Sequence, residues 1–188
     1  MTHFTLLVSI LAFGCVHSLT AADFLKNKVQ SKYYRLGYNG LSIVSILVVF
    51  YCYQAVEIQY LFEAQIGDFL PFFLIGLGFS GVLMVLWGYD LLEFSGFDAF
   101  GEKKTTGKLK TDGFLTHVRH PLYTAIILIL IGFFLQETSL RNAIVGVVFT
   151  VYILIGIHFE ERKLIRIFGE TYSTYKAKTP MLIPWLKF

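Results

Sequence analysis

Three long apolar runs without a charged side chain constrain this chain more than any other feature of its 188 residues. They cover residues 4–22, 36–56 and 69–89, and none of them contains Asp, Glu, Lys or Arg. A helix of about 20 residues spans the hydrocarbon core of a bilayer, roughly 30 Å thick. Because backbone polar groups must be satisfied internally in lipid, such runs predict transmembrane helices.

Two shorter apolar runs follow, at residues 121–135 and 143–157. The connection between them, residues 136–142, is so short that the two must be antiparallel neighbours in a helical hairpin. The expected fold is therefore all-α: a polytopic integral membrane protein with about five transmembrane helices. The fourth and fifth of these predicted transmembrane helices form the hairpin, and a cytoplasmic helix follows. Whether the hairpin crosses the bilayer fully is left open by its length.

We expect one membrane domain over residues 1–188. Three transmembrane helices occupy 1–92, a cytoplasmic loop 93–120, and the hairpin with the C-terminal region 121–188. Of the 16 basic residues, all but Arg141 fall in segments that this topology places on one side. The positive-inside rule then puts the N-terminus outside and the C-terminus in the cytoplasm.

The composition limits the partners. Hydrophobic residues make up 55% of the chain, charged residues only 15%, and the net charge is +3. Nucleic acid is therefore not expected as a partner, and the lipid bilayer is. No feature of the sequence indicates a protein partner. Histidines and acids are too few for the ligand clusters of membrane metal oxidases, so no metal site is predicted.

Polar groups collect where the hairpin begins. Arg119 and His120 directly precede Pro121, a residue suited to the first turn of a helix, and Tyr123 follows. The first-turn amides and the two basic side chains together predict an anion-binding site. At the other end of the hairpin the sequence continues with the adjacent acids Glu160 and Glu161. Adjacent positions on a helix point about 100° apart, so at most one acid faces the hairpin partner.

Candidate catalytic bases lie elsewhere. His17 is an ionisable residue inside a predicted transmembrane helix, and such residues often have a functional role. Asp90 and Glu93 are three residues apart, on one face at the end of the third helix. His117 stands before the hairpin.

The C-terminal part of the chain carries an ordered set of motifs: RHPLY, an apolar hairpin, EE, FG, two tyrosines and a final P…IP. This set, over about residues 112–185, resembles the isoprenylcysteine carboxyl methyltransferase and phospholipid methyltransferase group of integral-membrane enzymes. The N-terminal part, with His17, Tyr34, Arg35 and Tyr38, looks like the NnrU-like and methanethiol S-methyltransferase branch.

The resemblance implies a methyltransferase that uses S-adenosylmethionine. It would methylate a small or lipophilic acceptor (thiol, amine, carboxylate or lipid headgroup) at the cytoplasmic membrane face. By position, the resemblance assigns the cofactor pocket to Asp112, Gly113, Phe114, Leu115, Arg119, His120, Pro121, Tyr123, Ala125, Ile126, Ile127, Leu128, Glu160 and Glu161. Catalytic roles are expected for His17, Asp90 and Glu93.

One position departs from the isoprenylcysteine enzymes. Gly156 stands where those enzymes carry an arginine that is thought to meet the substrate carboxylate. Two other classes of function stay open on the sequence alone. A sterol-reductase-like enzyme would bind NADPH with the cluster Lys103, Lys104, Lys108 and Lys110. A non-enzymatic membrane protein would bind neither cofactor.

Overall fold

The computed structural model describes residues 1–29, 31–62, 67–87 and 109–186. Within these ranges the fold is helical and has no β-strand, which confirms the all-α prediction. The helices are α1 (His3–Ala21), α2 (Asp23–Val29), α3 (Tyr34–Gln54), α4 (Phe69–Trp87), α5 (Pro121–Gln136), α6 (Leu140–Phe168) and α7 (Glu170–Lys178), with a 3-10 turn at Gly113–Thr116. α4 begins at Phe69, as the apolar run 69–89 predicted, and residues 88–108 lie outside the described ranges.

Among the described residues, four helices are long and apolar enough to cross a membrane: α1, α3, α4 and α6. α5 is apolar but has 16 residues, which span about 24 Å at 1.5 Å per residue. α6 extends to Phe168, beyond the predicted apolar run, because apolar side chains recur at helical spacing after Ile157. It ends before Gly169, whose φ of 55° suits glycine.

The outer surfaces of the long helices are apolar. Phe69 of α4 is 81% exposed, and Phe72 and Leu83 on the same helix are more than half exposed. α3 presents Val44, Leu47 and other large apolar residues in the same way. Such continuous apolar surface is not tolerated in water, so it identifies the faces that contact lipid.

The chain divides into two compact units, the first comprising Met1–Ala64, Trp87–Lys104 and Glu137–Phe149. Its core joins Leu6 and Ile10 of α1 to Val49 and Cys52 of α3, and the first turns of α6 pack against it. Ser139 caps the start of α6, since its Oγ accepts a hydrogen bond from the Asn142 amide at 3.4 Å.

The second unit comprises Gln65–Leu86, Thr105–Gln136 and Thr150–Phe188. Its α4 and α5 approach closely because small residues face each other. A Cβ on Gly78 would stand 2.5 Å from Ile129 Cγ1 and 2.7 Å from the Ala125 carbonyl oxygen. A Cβ on Gly132 would stand 2.6 Å from Ile75 Cγ1. Close contact through small residues is a typical way for transmembrane helices to associate. The prediction of a single membrane domain stays a prediction.

Candidate functional site

The predicted polar cluster forms in the second unit, where α5 begins. Pro121 is the first residue of α5, so Arg119 and His120 lie just before the helix, 7% and 5% exposed. Their amides donate to a returning C-terminal segment: Arg119 N to the Pro180 carbonyl at 2.8 Å and His120 N to the Met181 carbonyl at 3.1 Å. Backbone pairing with the segment after α7 therefore fixes the entrance of α5.

Glu161 is the centre of this cluster. Its carboxylate accepts from Arg119 Nε at 2.7 Å, from His120 Nε2 at 3.2 Å and from Lys176 Nζ at 2.7 Å. Its side chain is 7% exposed. A buried carboxylate needs several charge-assisted partners to offset its desolvation, and Glu161 has three.

Arg119 has two further hydrogen-bond partners besides Glu161. Its Nη1 donates to the Lys176 carbonyl at 3.1 Å and to the Thr179 carbonyl. The guanidinium therefore joins three segments: the start of α5, the second half of α6 and the end of α7. The anion that Arg119 holds in this structure is the Glu161 carboxylate, and the other acceptors are backbone carbonyls.

The adjacent acid Glu160 is in a different environment. Its side chain is 46% exposed, and its Oε2 lies 3.8 Å from His120 Nδ1. Of the two adjacent acids, Glu161 is therefore the buried one, and Glu160 reaches only the edge of His120. Glu160 thus offers an accessible carboxylate at the edge of a buried cluster whose charged groups are paired with one another.

Tyr172 of α7 is 1% exposed, and its hydroxyl has no hydrogen-bond partner in the part of the chain that the structure describes. Burial raises the pKa of the phenol, and the nearby negative charge of Glu161 adds to this effect. The group therefore stays protonated and can donate. A buried polar atom without a partner is uncommon in folded proteins.

The strip before the cluster is more open. Asp112, Gly113 and Phe114 are exposed, and Gly113 adopts a φ of 60° at the start of the 3-10 turn. The Leu115 carbonyl accepts from the Tyr175 hydroxyl at 2.6 Å. This bond ties the strip to α7, which also supplies Lys176 and Tyr172 to the cluster.

The predicted α5 residues divide between two environments. Tyr123 packs beside His120, with ring centroids 5.7 Å apart and an interplanar angle of 30°. Ala125 is 4% exposed and contacts α4 at Gly78 and Gly81. The remaining predicted positions are partly buried: Pro121, Ile126, Ile127 and Leu128.

The predicted bases are not part of this cluster. His17 belongs to the first unit, where its Nδ1 lies 3.0 Å from Ser42 Oγ and its Nε2 lies 3.1 Å from the Tyr38 hydroxyl. His117 is exposed, with Nδ1 2.8 Å from Thr116 Oγ1. Asp90 and Glu93 lie outside the described residues. Their catalytic roles stay predictions, as do the cofactor contacts above.

Sequence reasoning missed the contributions of the C-terminal segment. Lys176 and the carbonyls of Thr179, Pro180 and Met181 complete the cluster. Two tyrosines of this segment, Tyr172 and Tyr175, belong to the ordered motif set. No sequence signal indicates, however, that an irregular backbone 60 residues away docks on Arg119.

A model of the phospholipid methyltransferase family matches residues 69–171, which include the hairpin, both glutamates and the start of α7. The chain belongs to this family. Methanethiol S-methyltransferase of Crocosphaera subtropica is 30% identical over 184 residues, covering 93% of this chain and 71% of the relative. The Pseudomonas deceptionensis enzyme of the same name is 29% identical over 196 residues, covering 97% and 74%. Rat protein-S-isoprenylcysteine O-methyltransferase is 34% identical over 123 residues, covering 59% and 42%. No solved structure matches the chain.

Membership of this family decides between the functions that the sequence left open. The chain is a membrane methyltransferase that acts on a small or lipophilic acceptor, and the resemblance drawn from its motifs is confirmed. The reductase and the non-enzymatic hypotheses are set aside. Methyl transfer requires a methyl donor. Arg119, His120 and Glu161 lie within the matched residues, whereas Lys176 and the C-terminal segment lie beyond them.

Proposed function

We propose that the methyl donor is S-adenosylmethionine and that it binds beside Glu160, His120 and Tyr172. The observation that carries this proposal is the accessible Glu160 carboxylate next to a cluster whose other charges are paired. The cofactor has an amine and a sulfonium, both cationic, which favour an accessible carboxylate. Its own carboxylate suits the first-turn amides of α5 and His120 Nδ1. The unpartnered Tyr172 hydroxyl adds a buried donor.

The sulfonium of this cofactor supplies an electrophilic methyl group with a neutral leaving group. The protein then has to hold donor and acceptor in line and to exclude water. Glu161 and Arg119 serve this task indirectly, because they fix His120 and the C-terminal segment in place. Tyr123, packed against His120, and the partly buried side chains of α5 provide apolar walls.

We propose a small thiol as the acceptor. The two methanethiol S-methyltransferases described above match more than nine-tenths of this chain, whereas the rat isoprenylcysteine enzyme matches 59% of it. Gly156, where the resemblance places a substrate-binding arginine, offers no side chain to a carboxylate, and a Cβ there would meet nothing within 4 Å. A thiol needs no such partner.

A thiol reacts as the thiolate, so a proton must be removed before or during the transfer. His117 is the described candidate nearest in sequence to the cluster, and it is exposed to solvent. His17, Asp90 and Glu93 remain candidates from the sequence. Substituting each in turn and recording rate against pH distinguishes a base from a structural residue, since loss of the base removes the acidic limb of the profile.

Calorimetric titration tests the cofactor site. Purified protein in detergent is titrated with S-adenosylmethionine and S-adenosylhomocysteine, and we expect micromolar affinity for the wild type. Glu160→Gln should weaken binding of S-adenosylmethionine at least about tenfold, the usual scale for losing a charged hydrogen-bond partner. The matched control is Glu170→Gln, which removes an exposed acid of α7 and should bind the cofactor as the wild type does. Folded wild-type protein without affinity, or equal losses in both variants, would overturn the assignment.

A separate assay tests the acceptor. Proteoliposomes receive S-adenosylmethionine labelled in the methyl group and one acceptor at a time: methanethiol, a farnesylcysteine carboxylate or phosphatidylethanolamine. We expect label in the thioether product of methanethiol. Label in the farnesylcysteine ester or in the lipid headgroup would show that the acceptor proposal is wrong while leaving the donor proposal intact.

A further inference from the structure

The first compact unit contains a cavity of about 340 Å³ that is separate from the cluster described above. It lies between the end of α1, α2 and the start of α3, and its lining residues are Thr20, Leu25, Val29, Ser31, Tyr33, Tyr34, Gly37, Tyr38 and Leu41. Ligand sites usually have volumes of about 300–1,000 Å³. The cavity is therefore large enough for part of a small ligand.

The polar groups in the cavity wall are already bound to the protein. The Tyr34 hydroxyl donates to the Thr20 carbonyl at 2.6 Å, and Thr20 Oγ1 donates to the Val16 carbonyl at 2.7 Å. The Tyr38 hydroxyl lies 3.1 Å from His17 Nε2. What these side chains present to the cavity is mainly aromatic and aliphatic surface. The cavity therefore suits an apolar group better than a polar one.

One basic side chain contacts the cavity wall, and a second basic residue is adjacent to the wall in sequence. Lys28 precedes the lining residue Val29, and the Lys32 ammonium lies 4.9 Å from the centroid of the Tyr33 ring, which lines the cavity. From the start of α2 to residue 56 there are four basic residues and one acidic residue, Asp23. Phe24 of α2 is 77% exposed beside these lysines, the pattern of a short helix at a membrane interface.

We propose that this cavity binds an anionic phospholipid. One acyl chain enters the apolar cavity, and the phosphate lies against Lys28 and Lys32. An apolar cavity with basic residues beside it, next to transmembrane helices, matches both parts of such a lipid. A lipid such as phosphatidylglycerol has neither a thiol nor an amine, so it is a bound lipid and not the methyl acceptor. The inference does not depend on the proposed donor or acceptor.

Native mass spectrometry of the full chain, released from detergent, measures the lipid that stays bound. The protein is equilibrated with equal amounts of phosphatidylglycerol and phosphatidylcholine of the same chain length. We expect phosphatidylglycerol to be retained in preference. Neutralising Lys28 or Lys32 to Gln should each reduce that preference about fivefold, the effect of one basic residue near an anionic lipid. Arg162→Gln, an exposed basic residue of α6, should leave it unchanged.

Two glycines of α3 give a matched test of the cavity itself. Both Gly37 and Gly40 are exposed, and a Cβ at either meets nothing within 4 Å, but only Gly37 lines the cavity. Gly37→Leu should therefore abolish retention of phosphatidylglycerol, whereas Gly40→Leu should preserve it. Val29→Trp fills the cavity from α2 and replaces Gly37→Leu if that variant unfolds.

Three results would overturn the proposal. They are equal retention of both lipids by the wild type, equal retention by the two glycine variants, and a preference that survives loss of both lysines. Thermal unfolding of each variant shows that it is folded before its lipid content is compared.

Discussion

Replacing Glu161 by Gln should destabilise the protein more than any other single change to the cluster. Gln keeps the shape of the side chain but removes the negative charge that accepts from Arg119, His120 and Lys176. Arg119, 7% exposed, is then left as a buried cation with only carbonyl acceptors. Removing one partner of a buried ion pair costs about 3–5 kcal/mol.

The effect is large enough to measure by thermal unfolding in detergent. For a chain of this size, 1 kcal/mol shifts the midpoint by about 2–4 °C, so Glu161→Gln should lower it by roughly 10 °C. Glu160→Gln is the matched control. It removes the adjacent charge, but its side chain is 46% exposed, so the expected change is within about 0.5 kcal/mol.

A double-mutant cycle isolates the interaction between the two buried charges. Arg119→Met, Glu161→Met and the double variant are unfolded under the same conditions. Because the double variant leaves neither charge unpaired, its loss should be smaller than the sum of the single losses by at least about 1 kcal/mol. Additive losses, or a midpoint for Glu161→Gln equal to that of Glu160→Gln, would refute the central role of Glu161.

Three further predictions concern other contacts. Gly78→Ala should cost about 1–3 kcal/mol in thermal unfolding, because its Cβ would stand 2.7 Å from the Ala125 carbonyl, whereas Gly76→Ala on the same helix meets no neighbour and should be neutral or slightly stabilising. Hydrogen bonds from Arg141 lower the pKa of Glu137. The ionised acid therefore stabilises the fold above its unfolded pKa of about 4.3, and this stabilisation is lost as pH falls. The difference between the unfolding midpoints at pH 6 and pH 4 should be smaller in Glu137→Gln than in the wild type. Tyr172→Phe should unfold as the wild type does, since the hydroxyl has no partner in the described structure, but should bind S-adenosylmethionine about fivefold more weakly by calorimetry; unchanged affinity would remove Tyr172 from the proposed pocket.

Local features of the sequence were sufficient for most of the helices, but not for the short α2 at Asp23–Val29, which was not predicted. The apolar runs predicted the positions of α1, α3 and α4, and Pro121 marked where α5 begins. The short connection made α5 and α6 a hairpin, so the sequence alone brought Arg119 and His120 near the two glutamates. These features depend on hydropathy, length and backbone preference, which are properties of neighbouring residues.

The tertiary structure decided what those rules leave open. The packing of α6 turns Glu161 inward and leaves Glu160 accessible, a choice that two adjacent identical residues do not encode. The close approach of α4 and α5 at Gly78 also depends on both helices at once. The segment after α7 docks on Arg119 through backbone carbonyls, which every residue carries. Sequence determines which groups are available to bond, but the pairing of groups 40 to 60 residues apart is fixed only when the helices pack and each buried charge needs a partner.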